Sequence, residues 1–408
     1  MFNENWIALA VFAAIFGLLL QQGGLLTIAA LVLVVASIGW AWNKYSLHGV
    51  EYRRTFSERR AFLGETIEMA LQVSNRKPLP ISWLKVEDEY PLPVTMVDGE
   101  VHPSTKADVG LLSSLVSLRW FERTRWSYHL RCEQRGVYSF GPARLQSGDL
   151  FGLFTSQVSA PALDWLIVYP AVKPIEGFTL PPKEPCGEIR ARQRVFEDPS
   201  RTIGIRDYRL TDGLKRIHWK ATARRQKLQA RVYEPATAFQ LVIFLNMVTL
   251  PKHWQGSIPE LLESAVSLAA SIASHAVEAR YQVGLVANGC WPHSDQTLKV
   301  LPGRSPDQLT RILEALAAVS ALPTISIETL LSRESARLPW GATLLVVAAV
   351  VTEELLTVMA RLQSAGRRMV LVRLDEAPLP FEIPQLMVHR VADLGKSFAL
   401  RVQECPRS

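Results

Sequence analysis

Between Gly204 and Glu234 the chain packs charge, aromatic rings and turn residues more densely than an ordinary element needs. The order is Arg206-Asp207-Tyr208-Arg209, then Asp212-Gly213, then Lys215-Arg216-Ile217-His218-Trp219-Lys220, closing on Ala223-Arg224-Arg225 and Arg231-Val232-Tyr233-Glu234. From Glu188 to Glu234, thirteen Lys and Arg stand against six Asp and Glu, a surplus equal to the formal +7 of the whole chain. The basicity is therefore local. Arginine offers bidentate hydrogen bonds to carboxylates and phosphates, so Arg206, Arg216, Lys220 and Arg224 could present a cationic surface to an acidic partner. A structural reading competes with this one. Asp212-Gly213 marks a turn, and Lys215, Arg216, His218 and Trp219 cannot all point the same way. In that reading Tyr208 and Trp219 bury against a sheet, while Asp207 and Asp212 pair with neighbouring arginines. The two readings are compatible, and both stay open on the residues alone.

Catalysis finds little to work with. His218 has no Ser or Cys at a suggestive spacing and no Glu-x-x-His pattern beside it, which makes it a packed or hydrogen-bonding histidine. No Gly-x-x-x-x-Gly-Lys sequence cradles a phosphate, and Gly284 and Gly289 sit in strand and turn settings. Cys132, Cys186, Cys290 and Cys405 lie far apart with no Cys-x-x-Cys pair, so neither a zinc knuckle nor a redox motif is expected, and they read as reduced thiols of a cytosolic compartment. The expectation is a non-enzymatic chain with no cofactor.

The elements that must position the basic motif can be read from patterning. A chain of 408 residues with 48% apolar content suits two or three domains with proper cores. Trp6 to Leu20 and Leu25 to Trp42 are apolar runs without a charge, separated by Gln21-Gln22-Gly23-Gly24. At 1.5 Å per residue the second run spans roughly 27 Å, near the hydrocarbon thickness of a bilayer. A transmembrane helical hairpin over 1–43 follows, contacting lipid through residues 6–42. A signal peptide is disfavoured, since Glu4 precedes the first run without any Lys or Arg. Lys44, Arg53, Arg54, Arg59 and Arg60 follow the second run, and the positive-inside bias then places the soluble bulk in the cytoplasm.

Beyond the membrane segment, Ile67, Met69, Leu71 and Val73 alternate with Glu68, Ala70, Gln72 and Ser74, the period of a half-buried strand. Trp126, Tyr128, Leu130 and Cys132 repeat it, and an antiparallel β-sandwich over 50–160 is the economical reading. Pro170, Pro174, Pro181, Pro182 and Pro185 mark an extended connector over 161–203. From 204 to 408 strand and helix alternate. Phe239 to Leu245 is a buried strand, and a Ser257-capped helix runs to about Ala279. Gln282 to Ala287 is the next strand, and Ser305-Pro306-Asp307-Gln308 forms a capping box. Leu344 to Val351 is a strand, a Thr352-capped helix ends at Gly366, and Met369 to Leu374 is a final strand. The expected fold is α/β plus all-β, with a doubly wound parallel sheet in the C-terminal half.

With Arg206, Asp207, Tyr208, Asp212, Arg216, Ile217, His218, Trp219, Lys220, Ala223, Arg224 and Glu234 in this order, the chain resembles the bacterial membrane-anchored proteins of domain-of-unknown-function 58. Gly136 to Pro142 and Asp149 to Phe154 support the resemblance. It implies a C-terminal half similar to a von Willebrand factor A domain. It also implies a cytoplasm-facing partner of a MoxR-type AAA+ ATPase at the bacterial inner membrane, with no enzymatic activity established. Domains of that type bind a divalent cation through Asp-x-Ser-x-Ser after the first strand, with oxygens that suit hard ions. The matching positions here are Asn246, Val248 and Leu250, so only Asn246 keeps an oxygen and no metal is expected. The alternative to a scaffold or adaptor is a cationic surface, residues 188–234, that binds anionic lipid headgroups or nucleic acid. No recognised nucleic-acid module accompanies it.

Overall fold

The computed structural model describes residue 15 and residues 23–149, 154–178, 197–209, 216–235, 239–250, 256–292, 294, 296–339, 341–375, 377–384, 386–393 and 397–403. The chain divides into two compact units, Met1–Ala171 and Val172–Ser408.

In the first unit, helix α1 (Gly23–Ser46) carries the second apolar run. Its stretch Thr27–Ser46, with mean hydropathy 1.4, has the length and composition of a membrane span or a signal sequence. Ile28, Leu31, Val34, Ile38 and Trp40 are exposed along it, whereas Ala29 and Ala36 are buried. The first apolar run, and with it the expected hairpin, lies outside the described residues except for Ile15.

The strands that follow are β1 (Val50–Phe56), β2 (Arg60–Phe62), β3 (Thr66–Asn75), β4 (Ile81–Pro91), β5 (Thr95–Met96), β6 (Val101–Pro103), β7 (Val109–Leu118), β8 (Arg123–Arg131), β9 (Gly136–Phe140), β10 (Ala143–Gly148), β11 (Thr155–Ala160) and β12 (Asp164–Tyr169). They form three sheets, ordered β1-β3-β8-β5, β11-β10-β4-β7-β6 and β2-β12-β9. Met69, Leu71 and Leu130 of the first sheet, Tyr90 and Leu112 of the second and Phe140 and Leu166 of the third share one core, each large side chain contributing about 1.5–3 kcal/mol of burial. β3 is buried at Ala70 and Ser74 as well as at its alternating apolar positions, so it is a more enclosed strand than its period suggests. The unit is also longer than expected. β12 pairs with β9 and β2, because Leu166 and Val168 supply core residues just where the connector was to begin. The expected connector over 161–203 is thus shortened from both sides, since β13 (Ile175–Glu176) and the start of β14 (Glu197–Asp207) also fall within it.

A charged cluster sits inside this unit. The Arg54 side chain has no solvent exposure. It forms an ion pair with Asp88, to which Nε donates at 3.0 Å, and Nη1 donates to the Phe140 carbonyl and to Asp164, each at 3.0 Å. Tyr52 donates to the same Asp88 carboxylate at 2.6 Å. Burial pushes the Asp88 carboxyl upward, and the guanidinium opposes that push.

In the second unit, β13 and β14 are followed by helix α2 (Trp219–Arg225), β15 (Gln229–Pro235), β16 (Gln240–Leu245), α3 (Pro259–Glu278), β17 (Gln282–Cys290), β18 (Thr297–Gly303), α4 (Gln308–Ala318), α5 (Ile327–Ser335), β19 (Thr343–Ala348), α6 (Glu353–Ser364), β20 (Arg368–Arg373), β21 (Met387–Asp393) and β22 (Phe398–Gln403). Eight strands make one sheet, ordered β13-β22-β21-β20-β19-β16-β17-β18. Neighbours from β21 to β17 pair in parallel, β18 is antiparallel to β17, and β22 is antiparallel to β21 but parallel to β13. Continuous apolar runs such as Leu241–Leu245 are what a sheet covered on both faces requires. Val242, Phe244, Leu344 and Val346 pack with Leu330 and Leu331 of α5 and Leu355 and Met359 of α6. α3 is buried along Leu262, Val266, Ala269, Ile272 and Ala273.

Candidate functional site

β14 and β15 form a separate two-stranded antiparallel ribbon that carries the basic motif. Asp207 lies opposite Gln229 and Arg206 opposite Ala230. The ladder continues one step through Tyr208, whose N–H donates to the Leu228 carbonyl at 2.9 Å. Ile217 bridges to Ala230 from the other side. Ile217 and Ala230 are buried, which gives the ribbon a small apolar interior.

Gln229 holds the pieces together. It is fully buried, its Nε2 donates to Asp207 Oδ1 at 2.5 Å, its N–H donates to Thr222 Oγ1 at 3.1 Å, and its carbonyl accepts from the His218 N–H at 2.8 Å. Three parts of the motif therefore meet at one amide. Sequence reasoning missed it, because an uncharged glutamine between Leu228 and Ala230 carries no signature of its own. The partner of Asp207 is accordingly this amide, where an arginine was expected. Arg206 instead donates from Nη1 to the Asp207 backbone carbonyl at 3.1 Å.

His218 is the N-cap of α2. Its Nδ1 accepts from the Ala221 N–H at 3.1 Å and its carbonyl accepts from Ala221 and Thr222, each at 3.0 Å. The ring thus supplies a side-chain acceptor to the first turn of the helix. The helix it starts has no buried residue. Trp219 is 69% exposed, which corrects the expectation that it buries against the sheet. The cap turns the chain outward immediately after Ile217, and Ile217 takes the interior place. Lys220, Arg224 and Arg225 are exposed on the same short helix, and the last two sit in its final turn, where cations complement the helix dipole. Tyr208 and Arg216 are half-buried. Asp212 lies outside the described residues.

Asn246, the position expected to retain an oxygen of a cation site, stands at the end of β16 and is buried. Its Oδ1 accepts from Val248 N–H at 3.1 Å and from Asn288 Nδ2 at 3.0 Å, while Asn288 Oδ1 accepts from Met247 N–H at 2.7 Å. Thr249 Oγ1 accepts from Ile258 N–H at 2.7 Å. These oxygens are thus engaged by backbone and amide donors beside the end of β16 and the start of α3.

Residues 204–405 match the family described as Protein of unknown function DUF58. An uncharacterized protein of Bacillus subtilis strain 168, YeaD, is 21% identical over 280 residues, a stretch that is 68% of this chain and 66% of that protein, just under two thirds of its length. Solved structures with partial similarity include the CARDB domain of PF1109 from Pyrococcus furiosus, at 14% identity and a TM-score of 0.21, covering 30% of this chain and 90% of that one. The sporulation control protein Spo0M of Bacillus subtilis is 10% identical with a TM-score of 0.19, covering 29% of this chain and 49% of that one.

Proposed function

We propose that this chain is a non-enzymatic, membrane-anchored scaffold or adaptor whose second unit is engaged by a cytoplasmic partner at the α2 surface. The observation that carries the reading is the exposure of Trp219 together with Lys220 and Arg224 on a helix that buries nothing. An exposed tryptophan on a short helix that also exposes arginine has the composition that dominates binding energy at protein interfaces. The resemblance names the partner class as a MoxR-type AAA+ ATPase. A mostly parallel sheet with helices packed on it and an asparagine at the end of β16 supports reading the unit as von Willebrand factor A-like. Contact there is independent of a cation, because the Asn246 oxygen is already engaged. Helix α1, with Lys44 in its last turn and Arg53 and Arg54 after it, supports an inner-membrane anchor, a multi-pass arrangement with Trp6–Leu20, and soluble units on the cytoplasmic side.

The test is affinity capture from native membranes with the intact protein, comparing wild type with a Trp219→Ala/Arg224→Glu variant of unchanged circular dichroism. Recovery of an AAA+ ATPase by wild type alone is expected. Equal recovery by both, or by neither, removes the proposal. Salt-dependent RNA or lipid-vesicle binding lost in the variant would instead favour the cationic-surface reading of residues 188–234.

A further inference from the structure

At one end of the first unit four features converge. β3 and β10 finish there, and β4, β8 and β11 begin there, as their registers show. Helix α1 arrives at this end. Gly39 lies against Asp149 and Phe154, close enough that a Cβ would sit 3.3 Å from the Asp149 carboxylate. The helix stops under a cation, since Lys77 Nζ donates to the carbonyls of Tyr45 at 2.7 Å, His48 at 2.8 Å and Ser46. The Lys77 carbonyl in turn accepts from the Phe121 N–H at 3.2 Å.

That last bond brings the β7–β8 turn beside the end of the helix. The turn reads Arg119-Trp120-Phe121-Glu122, and its tip points two large rings at solvent, Trp120 65% exposed and Phe121 67% exposed. Asn75 Nδ2 donates to the Arg119 carbonyl at 2.9 Å and the Asn75 N–H donates to Glu122 O at 2.9 Å, so the turn is pinned at its base. The tip is costly in backbone terms as well, because Phe121 has φ 54°, a region that bulky side chains avoid. A turn with no other role would be more stable with Asn or Gly there. On the outer face of the neighbouring sheet, Arg53, Arg76 and Arg123 line an open polar depression with Glu51, a net positive surface at the same end.

We infer that the Trp120–Phe121 tip seats in the headgroup and upper acyl region of the bilayer that α1 crosses, with Arg53, Arg76 and Arg123 facing anionic headgroups. Continuity with α1 commits the occupant to lipid. Exposed rings placed next to the end of an apolar helix and bordered by arginines have the composition of a membrane-interface belt. The inference rests on the reading of α1 as a membrane span, and it adds a second attachment that fixes how the first unit stands on the membrane.

The experiment uses the full chain in nanodiscs of phosphatidylcholine and phosphatidylglycerol, with an environment-sensitive fluorescent residue placed singly at position 28, 120 or 63. Leu63 precedes β3, at the opposite end of the unit, and is exposed. Expected is a blue-shifted emission quenched by spin-labelled lipid at positions 28 and 120, and water-like emission quenched by iodide at position 63. Lipid quenching at 28 with water-like emission at 120 overturns the inference and leaves the anchor standing. Water-like emission at 28 overturns both. Lipid quenching at 63 overturns the end-on geometry.

Discussion

Arg54 shows how much one side chain can be asked to do. It joins β1 to Asp88 of β4, to Phe140 of β9 and to Asp164 of β12. Removing it leaves Asp88 buried without its cation, so Arg54→Ala should cost about 3–5 kcal/mol in chemical denaturation. A loss below about 1 kcal/mol would mean that water replaces the guanidinium. His389 on β21 is also fully buried. Among the described residues neither of its ring nitrogens meets a hydrogen-bond partner, and its ring stands edge-on to Phe178 at 5.1 Å. Burial lowers its pKa below the ordinary 6.5. The unfolded chain therefore takes up the proton first as pH falls, and stability present above pH 6.5 is lost on acidification below it. His389→Phe should flatten that acid limb when denaturation midpoints are compared between about pH 7.5 and about pH 5. An unchanged limb would assign the loss to other groups. Phe121→Asn should leave stability in detergent unchanged or raise it by up to about 1 kcal/mol, since asparagine suits the positive φ; a clear decrease would show that the ring is packed.

At the scale of elements, α2 depends on its cap and on Gln229. His218→Ala should cost about 1 kcal/mol, read as loss of helix by hydrogen exchange at Ala221 and Thr222, with the sheet of the second unit unaffected. Equal exchange in both proteins would remove the cap from the account. The same contrast between local and distant signals decides which elements were legible. The Thr352 cap was readable, because the hydroxyl accepts from Leu355 N–H at 3.2 Å and Gly366 ends the turn with φ 89°. The cap positions before α3 and α4 were not. Ile258 occupies the first cap and Asp307 the second, neither with a side-chain cap bond. Gln308 does not reach back to complete a box; its Nε2 donates to the Val283 and Leu301 carbonyls at 2.8 Å each, tying α4 to β17 and β18. Motifs read at fixed spacing fail when a strand far away in sequence offers a better acceptor. The exposed Trp219 was illegible for a related reason, since hydrophobicity alone does not say which of Ile217 and Trp219 faces inward. Short edge strands such as β13 also leave no periodic trace.

For the whole molecule, each unit has its own core, and independent domains unfold as separate transitions when neither leans on the other. Calorimetry of the detergent-solubilised chain should show two transitions, with Arg54→Ala lowering one and Asn288→Ala the other. A single transition moved by both substitutions would make the chain one cooperative body. The alternation of an all-β half and an α/β half was visible in the change of apolar period near residue 239, because parallel strands covered on both faces read as unbroken apolar runs. The separate β14–β15 ribbon was not visible, since its charged residues obscure the strand period.

The position of Arg54 has a further consequence, in time. β1 begins four residues after α1 ends, so its arginine emerges from the ribosome directly behind the apolar helix. Its acceptors lie 34, 86 and 110 residues farther along the chain. A guanidinium is not desolvated before its partners exist, and contacts of such separation close late. During synthesis the apolar helix is therefore available to the membrane well before the strand it leads into can settle, and the first unit completes its fold only after Asp164 has been made.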